Sequence, residues 1–108
     1  MKTLSEVVLS VGRVGQVELR SWVERGWVVA SQAGEAELHF SEIDIARVEL
    51  ICDLRHDMMV DEETMPLVLS LLDQVYALRR QMNVLTGAIQ QQPEAVRRAI
   101  LDQLKPRD

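Results

Sequence analysis

Apolar residues recur at alternating intervals of three and four along the second half of the chain, and this spacing predicts one long helix. The helix is expected to begin at Asp61, to be loosened near its start by Pro66, and to end at about Gln91. Valine, methionine and isoleucine occupy one core position of the heptad and leucine the other, a pattern that favours two-stranded coiled coils. The predicted homodimer seam consists of Val68, Leu71, Val75, Leu78, Met82, Leu85 and Ile89.

The alternative to a homodimer is that the last helix folds back and covers this seam within one chain. That helix is predicted in the segment QQPEAVRRAILDQL. A second apolar stripe occupies only the N-terminal half of the long helix, and we expect it to pack on the rest of the protein; it consists of Met65, Leu69, Leu72 and Tyr76. The periodicity does not decide between parallel and antiparallel strands.

The pattern ahead of the long helix predicts two short helices joined by a glycine-containing turn. Thr3 and Glu6 have the spacing of a capping box, and a helix is expected from about Leu4 to Val11. The run GRVG then breaks the pattern, and QVELRSWVER forms a second helix that Gly26 is placed to cap. This arrangement is typical of a helix-turn-helix.

Two short β-type runs follow, and they predict a small β-hairpin wing. They are WVVA, Trp27–Ala30, and AELHF, Ala36–Phe40, on either side of a turn that contains Gly34. Ser41 then begins a third helix with Asp44 as a capping partner, and the apolar faces of this helix predict a central position. The chain is therefore expected to be mainly α, with a head over residues 1–60, a coiled-coil helix over 61–91 and a short C-terminal helix and tail over 92–108.

Composition limits the class of protein. The 108 residues suffice for one small domain, and 47% of them are hydrophobic, which is typical of an ordered protein. No apolar run approaches the roughly 20 residues of a membrane span, and the N-terminus lacks the apolar stretch of a secretory signal. The single cysteine, Cys52, cannot form an internal disulfide, so we expect a cytoplasmic protein without membrane association.

The residue types that could support catalysis or metal binding do not form a recognisable set. His39 and His56 are the only histidines; His39 is expected to face solvent from the wing, and Cys52 to lie in the core. One thiol cannot build a metal site of the kind that several cysteines form. Trp22 and Trp27 have no interleaved basic residues, so a core position is favoured over base stacking. We expect no enzyme activity, no metal and no cofactor.

The sequence resembles two protein families. VELRSWVERGWV followed by AELHFSEIDIARVELICDLR resembles the MerR-type winged helix-turn-helix, whose members are dimeric regulators that dock their second helix and wing on DNA. LRHDMMVDEETMPLVLSLLDQVYALRRQ, Leu54–Gln81, resembles the CbpM family of chaperone modulators. The similarity extends from about Thr3 to Ile89. It implies a MerR-like fold and, in the CbpM case, a protein that binds the J-domain of a DnaJ-like (CbpA-type) co-chaperone and inhibits it.

Charge favours the second resemblance. Residues 1–45 contain four basic and seven acidic side chains, whereas tight DNA binders commonly neutralise six or more phosphates. DNA binding is the alternative, and it would depend on Arg13, Arg20 and Arg25. A bare dimerisation module would show neither interaction.

An acidic row is predicted along one face of the third helix, at positions i, i+4 and i+8. It consists of Glu49, Asp53 and Asp57. It could be an ordinary solvated face, or it could complement the basic helix that J-domains present. The candidate partner-binding residues are Glu49, Asp53, Arg55, His56, Asp57, Asp61 and Glu62, of which Arg55 and His56 come from the LRHD resemblance.

Overall fold

The computed structural model describes residues 1–32 and 37–106. The chain divides into two compact units, Met1–Leu69 and Ser70–Asp108. Helices predominate and are accompanied by one small sheet, so the predicted mainly α fold is confirmed. In chain order the elements are β1 Lys2–Thr3, α1 Leu4–Val11, α2 Gln16–Glu24, β2 Ser31–Gln32, β3 Leu38–Phe40, α3 Glu42–Cys52, a π-helical segment Asp53–Asp57, α4 Met65–Gln90 and α5 Glu94–Gln103.

The two N-terminal helices begin and end where their local signals predict. The Thr3 hydroxyl accepts a hydrogen bond from the Glu6 amide at 3.3 Å, and the Glu6 carboxylate accepts one from the Thr3 amide at 3.4 Å, which completes the capping box. Gly12 ends α1 with φ 73° and Gly26 follows α2 with φ 77°. Both lie in the left-handed region that glycine adopts without a Cβ clash. The helix-turn-helix is therefore confirmed.

The sheet differs from the predicted hairpin. β3 is its central strand, and β1 and β2 pair with it on opposite sides, both antiparallel. The strand expected at Trp27–Ala30 is wrong, because Trp27 donates its amide to the Trp22 carbonyl and Val28 is buried; the strand falls at Ser31–Gln32 instead. The pairing of Lys2–Thr3 with β3 was not predicted. Gly34 and Ala36, the predicted turn and start of the second strand, lie outside the described residues.

The helix α3 occupies the core of the first unit. Ser41 and Asp44 form the expected capping box at its start, with hydrogen bonds of 3.2 and 3.0 Å. Not every apolar residue of this helix faces the core: Ile43 is 81% exposed, whereas Ile51 is fully buried. The buried apolar side chains are Leu4, Val7, Val14, Leu19, Trp22, Trp27, Val28, Phe40, Val48, Ile51, Cys52, Leu54, Met65 and Leu69.

A π-helical turn follows α3 directly. The Met58 amide donates to the Asp53 carbonyl five residues earlier, at 2.9 Å, rather than to the residue four positions back. Such single wide turns are rare and are enriched at functional positions. Met59 then takes φ 57° and ends the helical path, and the Val60 amide donates to the Leu54 carbonyl.

The long helix α4 begins at Met65, four residues later than predicted. Pro66 has no amide hydrogen, so the bond that would continue the ladder back to residue 62 cannot form. Asp61 still caps the preceding turn, because its carboxylate accepts from the Thr64 amide at 2.7 Å. Met65 and Leu69, from the second apolar stripe, are buried, whereas Tyr76 is 42% exposed. Across residues 1–32 and 37–106, no helix has the length and apolar character to cross a membrane.

Candidate partner surface on the head

The predicted acidic row is bound by an arginine from the turn between α1 and α2. Arg13 contacts the carboxylates of Asp53, at 2.7 Å, and Asp57, at 3.3 Å. Its second terminal nitrogen donates to the Glu49 carbonyl at 3.3 Å. Asp53 and Asp57 are therefore neighbours across the π-helical turn, and the arginine ties the helix-turn-helix to the end of α3.

A second arginine proposed for DNA binding is also engaged within the head. Arg25 pairs with Glu62 at 3.1 Å, and its guanidinium lies 5.3 Å from the centre of the Trp27 ring. Its Nε donates to the Ser21 hydroxyl at 3.3 Å. The tryptophan therefore serves the core and a cation contact, rather than offering a free face for bases.

The histidine of the LRHD segment faces α2. Its Nε2 lies 3.3 Å from a carboxylate oxygen of Glu18, and its ring centre is 6.3 Å from that of Trp22. The predicted partner residue His56 is thus adjacent to an acidic side chain that sequence reasoning did not include. The two residues are 38 positions apart, so no local pattern could have found the pair.

The segment that joins the π-helical turn to α4 is fixed by Arg55. Its guanidinium donates to the Val60 carbonyl at 2.6 Å and lies 3.8 Å from the Glu62 carboxylate. Hydrogen bonds from the Thr64 side chain and from the Thr64 amide lower the pKa of the Asp61 carboxyl. Arg55 therefore has a structural role in its own chain, and the segment it fixes carries several carboxylates.

We call the charged residues of these contacts, together with the exposed Glu49 and Glu63 beside them in the sequence, the acidic surface. Three arginines and seven carboxylates leave it with a formal charge of −4 when His56 is neutral. Asp57 remains 65% exposed and Glu62 55% exposed despite their ion pairs. The region consists of Glu18, Glu49, Asp53, Asp57, Asp61, Glu62 and Glu63 together with Arg13, Arg25, Arg55 and His56.

The third arginine proposed for DNA contact has a different environment. Arg20 is exposed on α2, and none of residues 1–32 and 37–106 supplies it with a carboxylate partner in an ion pair. Of the three candidate DNA-binding arginines, two are therefore held by carboxylates of the acidic surface and one is directed to solvent. The sequence shows these charged residues, but it does not show which of them form ion pairs.

The heptad seam of α4 is exposed. Leu71 is 52% exposed, Leu78 62%, Met82 63% and Leu85 55%, and Val75 is 42% exposed. Val68 and Ile89, at the two ends, are half-buried. In the described part of the chain, α5 therefore does not cover the seam, which was the alternative to a homodimer. Apolar side chains of α5 are also exposed.

The lone cysteine lies in the core, as expected. Cys52 is fully buried, and desolvation by burial raises the pKa of its thiol from 9.0 to about 11. The thiol is therefore protonated at neutral pH. Within the described ranges, no group of three or more histidine, cysteine, aspartate or glutamate side chains is arranged to hold a metal ion.

Comparison with known proteins identifies the class. A protein-family model described as "MerR HTH family regulatory protein" matches residues 3–86, most of the chain. The chain therefore belongs to the MerR helix-turn-helix regulatory family, and its role is that of a regulator. Neither a curated protein nor a solved structure matches it at a significant level.

Proposed function

We propose that this protein is a non-enzymatic regulator that binds the J-domain of a DnaJ-like, CbpA-type co-chaperone and inhibits it. The resemblance of Leu54–Gln81 to CbpM chaperone modulators suggests the partner, and membership of the MerR regulatory family is compatible with it. The binding region is the acidic surface. A J-domain presents a basic helix, and opposite charge on the two partners speeds their encounter and selects against wrong ones.

One observation carries the proposal: two of the three arginines that could contact DNA hold carboxylates instead, and an excess of negative charge remains. Arg13 is bound to Asp53 and Asp57, and Arg25 to Glu62, so neither side chain is free to neutralise a phosphate. DNA affinity depends strongly on such neutralisation. The region with a formal charge of −4 instead suits a basic protein surface.

The mechanism is occlusion. When the acidic surface covers the basic helix of the J-domain, that helix cannot reach its other partners, and the co-chaperone is inactive while the complex lasts. No covalent step is required. Because the attraction is between charges at a solvent-exposed interface, the complex should weaken as salt rises.

The regulator acts as a homodimer formed through the heptad seam of α4. The exposed leucines of the seam would contact a second copy, and burying them removes apolar area from water. Two copies of the acidic surface would then be available in each dimer. An exposed apolar row of this regularity is unusual for a monomer.

Binding of the purified J-domain, measured by isothermal titration calorimetry, tests the proposed partner. The double variant Glu49→Lys/Glu63→Lys reverses two exposed charges of the acidic surface that form no ion pair within the described residues, so the contacts of Arg13 and Arg25 are kept. We expect affinity to fall by about tenfold or more at low salt and by less at high salt.

The reversals Asp53→Lys and Asp57→Lys should also weaken binding, although they remove the Arg13 contacts as well. Glu24→Lys/Glu42→Lys is the matched control, because it also reverses two exposed charges and neither residue belongs to the acidic surface. The proposed surface is wrong if both sets of reversals bind the J-domain as tightly as the control does.

DNA binding remains the second candidate, because the family match is to a helix-turn-helix regulatory family and Arg20 is exposed on α2. A gel-shift assay with promoter DNA at low salt separates the two functions. Tight binding with a steep salt dependence that is lost on Arg20→Ala and Arg25→Ala would favour DNA. Weak binding that these changes leave unaltered would favour the J-domain.

A further inference from the structure

Two adjacent methionines beside the π-helical turn are directed to solvent. Met58 is 67% exposed and Met59 is 78% exposed. Methionine is flexible and polarisable, and it is used repeatedly at surfaces that bind the apolar faces of helices. Packing against the described residues therefore does not explain why both positions are methionine.

The backbone of Met59 has a conformation that favours glycine, so a methionine at this position needs an explanation. Its φ of 57° lies in the left-handed region, where a side chain is strained and glycine is the usual residue after a helix end. Among the described residues it is the one non-glycine position with positive φ. A strained residue persists where the surroundings enforce it, and such positions cluster at functional sites.

The two methionines are held on a fixed segment. The Met58 amide donates to the Asp53 carbonyl at 2.9 Å, and the Val60 amide to the Leu54 carbonyl at 2.9 Å. Arg55 binds the Val60 carbonyl from the other side at 2.6 Å. Every one of these bonds lies in the first unit, so the pair is presented by a preorganised backbone, which lowers the entropy cost of binding.

Carboxylates flank the pair on both sides in sequence. Asp57 precedes it, and Asp61, Glu62 and Glu63 follow it within four residues. All four side chains are exposed. An apolar pair bordered by acidic groups is complementary to a helix that has lysine or arginine along the edges of an apolar stripe.

We propose that Met58 and Met59 are the apolar anchors of the acidic surface, and that their ligand is a cationic amphipathic helix of a protein partner. The inference rests on the proposed function for the identity of that partner. It adds a contact that charge alone does not supply: the carboxylates orient a basic helix, and the methionines bind its apolar residues.

The test uses two labelled helical peptides with identical lysine positions, one with leucine and one with alanine along the apolar stripe. Both residues are strong helix formers, so the peptides differ mainly in apolar area. By fluorescence anisotropy, the full-length protein should bind the leucine peptide about tenfold more tightly than the alanine peptide. The double variant Met58→Ser/Met59→Gly should bind the two peptides equally, because its charges are unchanged.

Two control variants separate a lost contact from a loss of folding and from a general effect of exposed apolar area. Met59→Gly alone should raise the urea midpoint, since glycine adopts the observed φ without strain, so weaker binding of the leucine peptide by this variant would not reflect unfolding. Val84→Ala removes a 74% exposed apolar side chain of α4 and should keep the preference for leucine. The proposal is overturned if the wild-type protein does not distinguish the peptides, or if the double variant still does.

The J-domain provides a separate result with the same proteins. If the wild-type protein binds the leucine peptide preferentially but does not bind the J-domain, the proposed function fails and the methionine site stands. If charge reversal weakens J-domain binding while the methionine variant binds the peptides like wild type, the methionine site fails and the proposed function stands.

Discussion

Truncating Leu78 to alanine should dissociate the proposed homodimer. Leu78 lies at the centre of the heptad seam of α4 and is 62% exposed in the single chain. Alanine and leucine have similar helix propensities, so the helix itself should persist. The substitution therefore removes apolar contact area from the seam and changes little else.

The size of the effect follows from the exposed fraction. Full burial of a leucine side chain is worth about 1.5–3 kcal/mol. Covering the 62% that is exposed in one chain is then worth roughly 1–2 kcal/mol, and a two-fold dimer contains the residue twice. The loss of about 2–4 kcal/mol corresponds to a dimer Kd raised about 30-fold to 700-fold.

Sedimentation equilibrium over a range of protein concentrations measures this Kd. Val84→Ala is the matched control, because Val84 is 74% exposed on the same helix but lies outside the heptad seam. We expect the control to change the Kd by less than about threefold. Two results would refute the proposal that the seam is the dimer interface. The wild-type chain could sediment as a monomer at micromolar concentration, or the Leu78→Ala protein could be as dimeric as the control.

Three other predictions concern the head. Ser41→Ala removes the capping hydroxyl of α3 and should lower the free energy of unfolding by about 1 kcal/mol, measured by urea denaturation. Burial raises the pKa of the Cys52 thiol to about 11 in the folded state, whereas the unfolded thiol ionises near 9.0, so stability should fall between these pH values. The loss should approach roughly 2–3 kcal/mol and be absent from Cys52→Ala, which urea denaturation across this pH range can check. Arg13→Gln frees Asp53 and Asp57 and should tighten J-domain binding at low salt in calorimetry, whereas weaker binding would mean that Arg13 itself contacts the partner.

Local signals in the sequence predicted the helices well. The Thr3 and Ser41 capping boxes and the positive-φ glycines at 12 and 26 depend on residues within a few positions of one another. The resemblance to the MerR family is confirmed by the family match, whereas the finer CbpM assignment remains a proposal. The domain limits at residues 60 and 91 also remain predictions.

One error came from competition between strand propensity and core burial, which local patterns do not reveal. Trp27 and Val28 have the β-type composition of a strand, but burial against the core takes precedence and the strand falls at Ser31–Gln32. The helical period also could not show the π-helical turn after Cys52.

The candidate surface was only half predictable. The acidic residues of α3 were visible as a row, but the ion pairs of Arg13 and Arg25 join residues about 40 positions apart, and only the fold brings them together. The exposure of Met58 and Met59 was also beyond the sequence, because an apolar pair near a helix end is expected in the core.

The most direct measurement of the central claim is a residue-resolved map of the complex. The chain, labelled with ¹⁵N, is titrated with unlabelled J-domain, and amide shifts and intensities are followed by NMR. We expect the changes to cluster over residues 49–63, with Glu18 at the edge of the affected region. Changes confined to α2 around Arg20 and to the strands of the wing, or no changes at all, would contradict the account.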